Sequence, residues 1–196
     1  GTKETDIVSD LLITTTHHDI LFFTNRGRAF VLKSYEIPES GRQAKGTAIV
    51  NLLAVETDER ITAVIQVKEF RADRYLFLGT KHGVVKKTPL SEFGNIRKNG
   101  LRAVNLDEDD ELIGVKFTDG ENRIMLGTRG GKAITFPEDG VRSMGRVARG
   151  VRGITLADGD EVVAMDVLRS DSEVLTVTEG GYGKRTAAGE YRTQTR

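Results

Sequence analysis

The sequence predicts an all-β fold, a propeller-like array of four-stranded antiparallel blades, and three observations predict it. A threonine followed three positions later by glycine returns at Thr24, Thr80, Thr128 and Thr178, at intervals of 56, 48 and 50 residues. A second landmark keeps step with the first. Lys45-Gly46, Asn99-Gly100 and Arg149-Gly150 each precede Asn51-Leu52, Asn105-Leu106 or Thr155-Leu156 at the same distance, and acidic turns follow at Asp58-Glu59, Asp110-Glu111 and Asp160-Glu161. Each full repeat also holds four short apolar runs separated by turn chemistry, which is the arithmetic of a blade. A sandwich or barrel spaces its strands similarly but has no reason to repeat its loops.

Residues 1–10 are polar and read as a lead-in, and 11–196 as the array, with repeats at about 17–70, 71–120, 121–170 and a partial one at 171–196. Leu11 to Thr16 reads as a strand and His17-His18-Asp19 as a solvated turn. Neighbouring His side chains on a strand face opposite ways and no further His or Cys cluster completes a shell, so no metal site is expected. In the first repeat the runs are Asp19 to Thr24, Arg28 to Lys33, Ala48 to Leu53 and Ile61 to Val67. The connections Asn25-Arg26-Gly27, Lys81-His82-Gly83 and Arg129-Gly130-Gly131 suit tight hairpins, because glycine accepts the positive φ such turns need. Ile61 to Val67 is β-branched and interrupted at period two, which excludes a helix. Leu11 to Thr16 aligns with the last strand of a repeat and the chain stops partway through a fourth hairpin unit, so a piece of a longer array with exposed edges is expected.

Composition narrows the function classes. At 196 residues the chain can bury about 70% of its unfolded surface without staples. The lack of Cys excludes a thiolate metal site and a cysteine nucleophile, and is compatible with a reducing cytoplasm. No apolar run approaches the roughly 18 residues of a membrane span, and no charged-then-apolar leader is present. Gly at 22 residues against 3 Pro suits many tight turns.

The formal charge is zero, from 29 basic and 29 acidic residues, but the two signs are segregated in phase with the repeat. Lys81 to Arg102 holds six basic residues against one acid, and Asp107 to Glu121 seven acids against Lys116. Equivalent positions of successive blades fall on equivalent places of the array, so cations of the second hairpin strand and the following loop should form a belt suited to a nucleic-acid backbone. The residues are Arg26, Arg28, Lys33, Arg42 and Lys45 in the first repeat, and Lys81, Lys86, Lys87, Arg97, Lys98 and Arg102 in the second. In the third they are Arg129, Lys132, Arg142, Arg146, Arg149 and Arg152, and in the last Lys184 and Arg185. The loops Ser40 to Gly46, Asn95 to Gly100 and Met144 to Gly150 combine Gly with spaced cations, which neutralise phosphates without reading bases. The plainer reading of each run is a solvated polar face.

The stretches Asp19-Ile20-Leu21-Phe22-Phe23-Thr24-Asn25-Arg26-Gly27, Leu32 to Pro38, Lys45 to Leu53 and Asp58 to Thr62 closely resemble the C-terminal domain of the bacterial DNA gyrase A protein. The resemblance runs over nearly the whole chain. It implies a β-pinwheel whose blades exchange strands, and a positive rim around which duplex DNA wraps so that ATP-dependent strand passage by the holoenzyme introduces negative supercoils. It further implies no cofactor and no catalytic site here, cleavage and ATPase sites elsewhere, partners in the rest of gyrase A and in gyrase B (an A2B2 assembly), and a bacterial cytoplasmic, nucleoid-associated setting. The related family is the C-terminal domain of the topoisomerase IV A protein; the alternative of another class is a protein-interaction propeller. One departure stands out. The chain has no Gln-Arg-Arg-Gly-Gly-Lys-Gly box, on which wrapping in gyrase depends; Arg42 to Gly46 is a degenerate counterpart, and Thr193 to Arg196 resembles a lead-in that stops before the glycines. The resemblance therefore carries DNA contact onto the basic loops more directly than full wrapping.

Gly127 to Lys132 and Gly180 to Lys184 superficially suggest phosphate loops, but lack the four-residue gap to Gly-Lys followed by Ser or Thr. Tyr35, Tyr75, Tyr182 and Tyr191 carry no motif of a DNA-cleaving tyrosine and read as packing or rim residues.

Overall fold

A computed structural model describes residues 18–36 and 51–168 with their side chains, and the backbone of two further strands, Glu173–Val177 and Gly183–Ala187. The first sheet is built on the hairpin β1 (Asp19–Thr24) and β2 (Arg28–Lys33), joined through Gly27 at φ 78°. On its inner side β1 pairs antiparallel with β3 (Ile61–Val67). The second sheet repeats this with β4 (Tyr75–Thr80), β5 (Val84–Pro89) and the inner strand β7 (Leu112–Thr118). The third uses β8 (Arg123–Thr128), β9 (Ala133–Pro137) and β11 (Val162–Leu168). Two residues each form β6 (Leu101–Arg102) and β10 (Val151–Arg152), and the last hairpin is β12 (Glu173–Val177) with β13 (Gly183–Ala187).

Strand exchange joins the sheets. The order of the first is β3-β1-β2-β6 and of the second β10-β5-β4-β7, so each outermost strand comes from the following repeat. The Gly27 carbonyl accepts the Ala103 and Val104 amides at 2.8 and 3.3 Å, and the Gly83 carbonyl accepts those of Gly153 and Ile154 at 2.7 and 3.4 Å. Glycine is required there: a Cβ on Gly27 would lie 2.8 Å from the Val104 carbonyl oxygen, and one on Gly83 2.9 Å from the Ile154 side chain. These contacts fix the distance between neighbouring sheets.

The core lies between the sheets. Leu21 and Phe23 of β1 pack with Leu76, Leu78 and Phe93 of the second repeat, and Phe77 of the second with Ile124, Leu126 and Phe136 of the third. The inner strands β3, β7 and β11 stand beside one another. No helix of the described residues is long and apolar enough to cross a membrane.

The expected strands Asp19 to Thr24, Arg28 to Lys33 and Ile61 to Val67 form as read. Asn51 to Leu53, expected at the end of the third run, is a turn with Asn51 and Leu52 exposed; Ala48 to Val50 and Leu11 to Thr16 lie outside the described residues. A short 3-10 turn follows the second strand of each of the first three sheets, at Ser34–Glu36, Leu90–Phe93 and Glu138–Gly140.

Candidate nucleic-acid interface

Each hairpin is closed by its own threonine. The Thr24, Thr80 and Thr128 hydroxyls accept the amides of Arg28, Val84 and Lys132 at 3.3, 3.1 and 3.1 Å, which explains the most regular residue of the repeat. The acidic turns then fold onto the hairpin tips. Asp110 accepts the His82 amide at 2.9 Å and Asp160 the Gly130 amide at 2.9 Å, while Glu59 accepts the Thr24 hydroxyl at 2.6 Å. In turn geometry Glu59, Asp110 and Asp160 correspond, since each donates its amide three residues back, to Glu56, Asp107 and Ala157. The first turn is thus one residue out of step with the pairing of Asp58 to Asp110 suggested by sequence.

Glu59 is a buried carboxylate held by several donors. Arg28 donates to both of its oxygens at 2.9 Å. Burial pushes the Glu59 carboxyl up, but the bonds from Arg28, Thr24 and the Glu56 amide outweigh it and hold the group below the usual range. The Asp160 carboxyl is likewise held low, chiefly by the Gly130 amide.

Among the described residues, the second-strand cations do not form a free belt. Lys86 and Lys87, expected at the binding surface, are 1% and 7% exposed. The Lys86 ammonium donates to the Ala103 and Ala148 carbonyls at 2.6 and 3.1 Å, and to that of Arg146. Burial pushes it down to about 8, with the charge of Glu92 opposing and that of Arg146 adding to the fall. Lys87 donates to the Glu138 carbonyl at 3.2 Å and sits 5.0 Å from the Tyr75 ring. These two residues are corrected to internal positions. Period-two alternation cannot mark them, because β5 is buried on both faces by the sheets beside it. Arg28 pairs with Glu59, Lys33 with Asp19 at 2.6 Å, and Lys132 donates to the Thr155 carbonyl at 3.4 Å.

The outer edges carry a different set. Arg102 and Arg152 occupy the same place in the exchanged strands β6 and β10, opposite Arg28 and Val84, and both are exposed. Arg97 and Lys98 before β6 and Arg142 before β10 are exposed too, and with Arg152 they make no ion pair with a described carboxylate. Arg146 is half-buried. Arg149 pairs with Asp107 at 3.0 Å, the side chains 78% and 58% exposed, an attachment in water that a phosphate can replace. Arg26 pairs with Asp58 and Arg129 with Glu161 at 2.5 Å. Arg26, Lys81 and Arg102 line a cleft whose other walls include Asp107, Asp110 and Glu111, so cations and acids mix at the hairpin tips. Among the described residues, the segregation in the sequence thus resolves into unpaired cations on the loops flanking β6 and β10, and carboxylates turned onto the tips. Arg42 and Lys45 lie outside the described residues, as do the side chains of Lys184 and Arg185 and residues Thr193 to Arg196.

A family model described as "DNA gyrase C-terminal domain, beta-propeller" matches residues 18–68, 74–119, 122–169 and 172–196. The chain belongs to the DNA gyrase C-terminal domain family. Two curated relatives are the DNA gyrase A protein of Salmonella typhimurium (strain LT2), 50% identical over 99% of this chain and 22% of its own length, and that of Staphylococcus aureus (strain MRSA252), 50% identical over 100% and 22%. The chain therefore spans about a fifth of the length of the curated relatives it matches. Among solved structures, the C-terminal domain of DNA topoisomerase IV is 32% identical with a TM-score of 0.84, covering 92% of this chain and 57% of that one. A DNA gyrase A C-terminal domain is 24% identical with a TM-score of 0.76, covering 93% and 59%, and shows the shared fold.

Within this member of the gyrase C-terminal domain family, two residues escaped sequence reasoning. Asn105 donates to the Val147 carbonyl at 2.5 Å, tying the second connector to the third repeat's basic loop. Glu59 anchors Arg28. Tyr75 packs under Lys87 and Tyr35 is 75% exposed.

Proposed function

We propose that this chain is a non-catalytic DNA-binding and DNA-wrapping module of the DNA gyrase A protein. Duplex DNA follows the outer edges of successive sheets, and ATP-dependent strand passage by the rest of the A2B2 enzyme, in the bacterial cytoplasm, converts that path into negative supercoils. The observation that carries the reading is the recurrence of Arg102 and Arg152 on equivalent exchanged strands, preceded by exposed cations that make no ion pair with a described carboxylate, Arg97 and Lys98 before the first and Arg142 before the second. Such cations displace condensed counterions without reading bases. Bending 20–30 base pairs by 40–90° costs about 1–6 kcal/mol, which a series of phosphate contacts offsets. Cleavage and ATP hydrolysis lie outside this chain in this reading.

A gel shift with duplexes of increasing length at two salt concentrations tests it. With roughly 6 to 10 phosphate contacts, affinity falls about 10³- to 10⁵-fold between 50 and 200 mM salt. A protein-interaction propeller would show no such dependence. The higher TM-score to a topoisomerase IV domain, 0.84 against 0.76, supports a second reading as a topoisomerase IV module. Supercoiling of relaxed circles by the complete enzyme separates the two, since gyrase activity requires it and the alternative lacks it.

A further inference from the structure

Lys86 stands where the first and third repeats carry an apolar core residue, while the fourth, counted from Thr178, carries Lys184. Counted from Thr24, Thr80 and Thr128, its counterparts are Phe30 and Ile134, each 1% exposed, as Lys86 is. Phe30 lies under the basic loop that crosses the first sheet: a Cβ added to Gly100 would be 2.7 Å from its ring. Lys86 lies under the corresponding loop of the second sheet. A buried ammonium is costly unless it is fully hydrogen-bonded, and the fold does not demand one here, since Phe30 and Ile134 serve in its place. Its three acceptors all belong to segments flanking the outer edge, Ala103 in the second connector and Arg146 and Ala148 in the third loop. Asn105 grips the residue between the last two, at the Val147 carbonyl. The Met144 amide, donating to the Lys87 carbonyl at 2.8 Å, and the β10–β5 ladder hold the ends of the same loop.

We propose that Lys86, with Asn105 beside it, is a positioning residue for the DNA track: it binds the backbone of Arg146 to Ala148 onto the second sheet and so sets where Arg146 and Arg149 meet the duplex. This rests on the DNA-wrapping reading. Val84 lies beneath the loop's end at Gly150, where a Cβ would stand 2.9 Å from its side chain, and between that end and the Met144 bond the backbone of Arg146 to Ala148 is held by these carbonyl bonds.

The test uses the complete protein that contains this domain, with variants K86M, N105A, R146A/R149A and the combination K86M/R146A/R149A. K86M folds, because the equivalent positions of the first and third repeats are apolar, but its amides at 145–149 exchange faster. Duplex affinity at fixed salt drops on the order of tenfold, and the salt slope falls by the roughly 0.9 per contact expected for one or two lost phosphates. N105A shifts both quantities the same way by less. K86M adds no further loss to R146A/R149A, which a merely structural lysine would do. The proposal is overturned if exchange at 145–149 is unchanged in K86M, or if its effect adds in full to that of R146A/R149A. Should K86M fail to fold, N105A decides: unchanged loop exchange and affinity overturn the proposal. If R146A/R149A binds as the parent does while R97A/K98A is weakened, the DNA reading stands and the positioning role falls. If neither pair matters, both fall.

Discussion

Arg102 lies directly opposite Arg28 in the ladder between β6 and β2, yet the two arginines have different work. Arg28 turns in to grip both oxygens of Glu59, while Arg102 stays exposed, its guanidinium 3.5 Å from the Arg26 carbonyl oxygen. In the second sheet the inner cations Lys86 and Lys87 are likewise satisfied by protein carbonyls, while Arg152 on the exchanged strand stays exposed.

Removing outer cations therefore weakens duplex binding while removing inner ones leaves its salt dependence intact. Arg102→Ala and Arg152→Ala each lower the magnitude of the slope of log K against log salt by about 0.9. Lys33→Ala leaves the slope unchanged. Fluorescence anisotropy at a series of salt concentrations measures both.

Glu59→Gln removes the charged acceptor of Arg28 and Thr24. A hydrogen bond to a charged group contributes about 1.5–3 kcal/mol, so a loss of that order in urea denaturation is expected. Because the folded-state pKa of Glu59 lies below its unfolded value, its contribution is present in full above the ordinary carboxylate range. It is lost as pH falls through the folded pKa, and the Gln variant lacks that acid limb.

Lys86 changes stability in the same direction but in the alkaline range, because its folded-state pKa too lies below the unfolded value, held there by burial. Its pKa falls from 10.5 to about 8 on folding. Between those values the unfolded chain holds a proton that the folded chain has released, so stability rises with pH through that window, by up to roughly 3 kcal/mol. Urea midpoints from about pH 7 to about 11, a range that brackets this window, show the rise in the parent protein and not in K86M.

Glycines at the hairpin tips and acidic turns separate two costs. Gly159 has φ 76° and open space where a Cβ would stand, so Gly159→Ala loses only the roughly 1–2 kcal/mol of a left-handed L-residue. Gly27→Ala adds a clash with the Val104 carbonyl, and thermal unfolding should show the larger loss.

Much of this was legible in the repeats. Thr24, Thr80 and Thr128 with their glycines mark hairpins because one hydroxyl and one positive φ close each turn. Strand exchange followed from the family resemblance and not from the repeats, since β6 and β10 are two residues long and carry no periodicity. Lys86 and Lys87 were misplaced because charge was read as exposure. Part of the signal was present all the same: aligned by threonine, Lys86 falls on Phe30 and Ile134, and on Lys184 in the fourth repeat. The acidic turn of the first repeat slipped by one because two adjacent acids, Asp58 and Glu59, offer the same pattern in either alignment. The exposure of the loop cations Arg97, Lys98 and Arg142 was readable from the Gly and polar residues around them.

The most direct measurement is duplex affinity across a salt series for the parent chain and for Arg97→Glu, Lys98→Glu, Arg146→Glu and Arg149→Glu combined. The account predicts steeply salt-dependent binding by the parent and its abolition in the variant, with circular dichroism and melting temperature retained. Equal binding by a folded variant would contradict it.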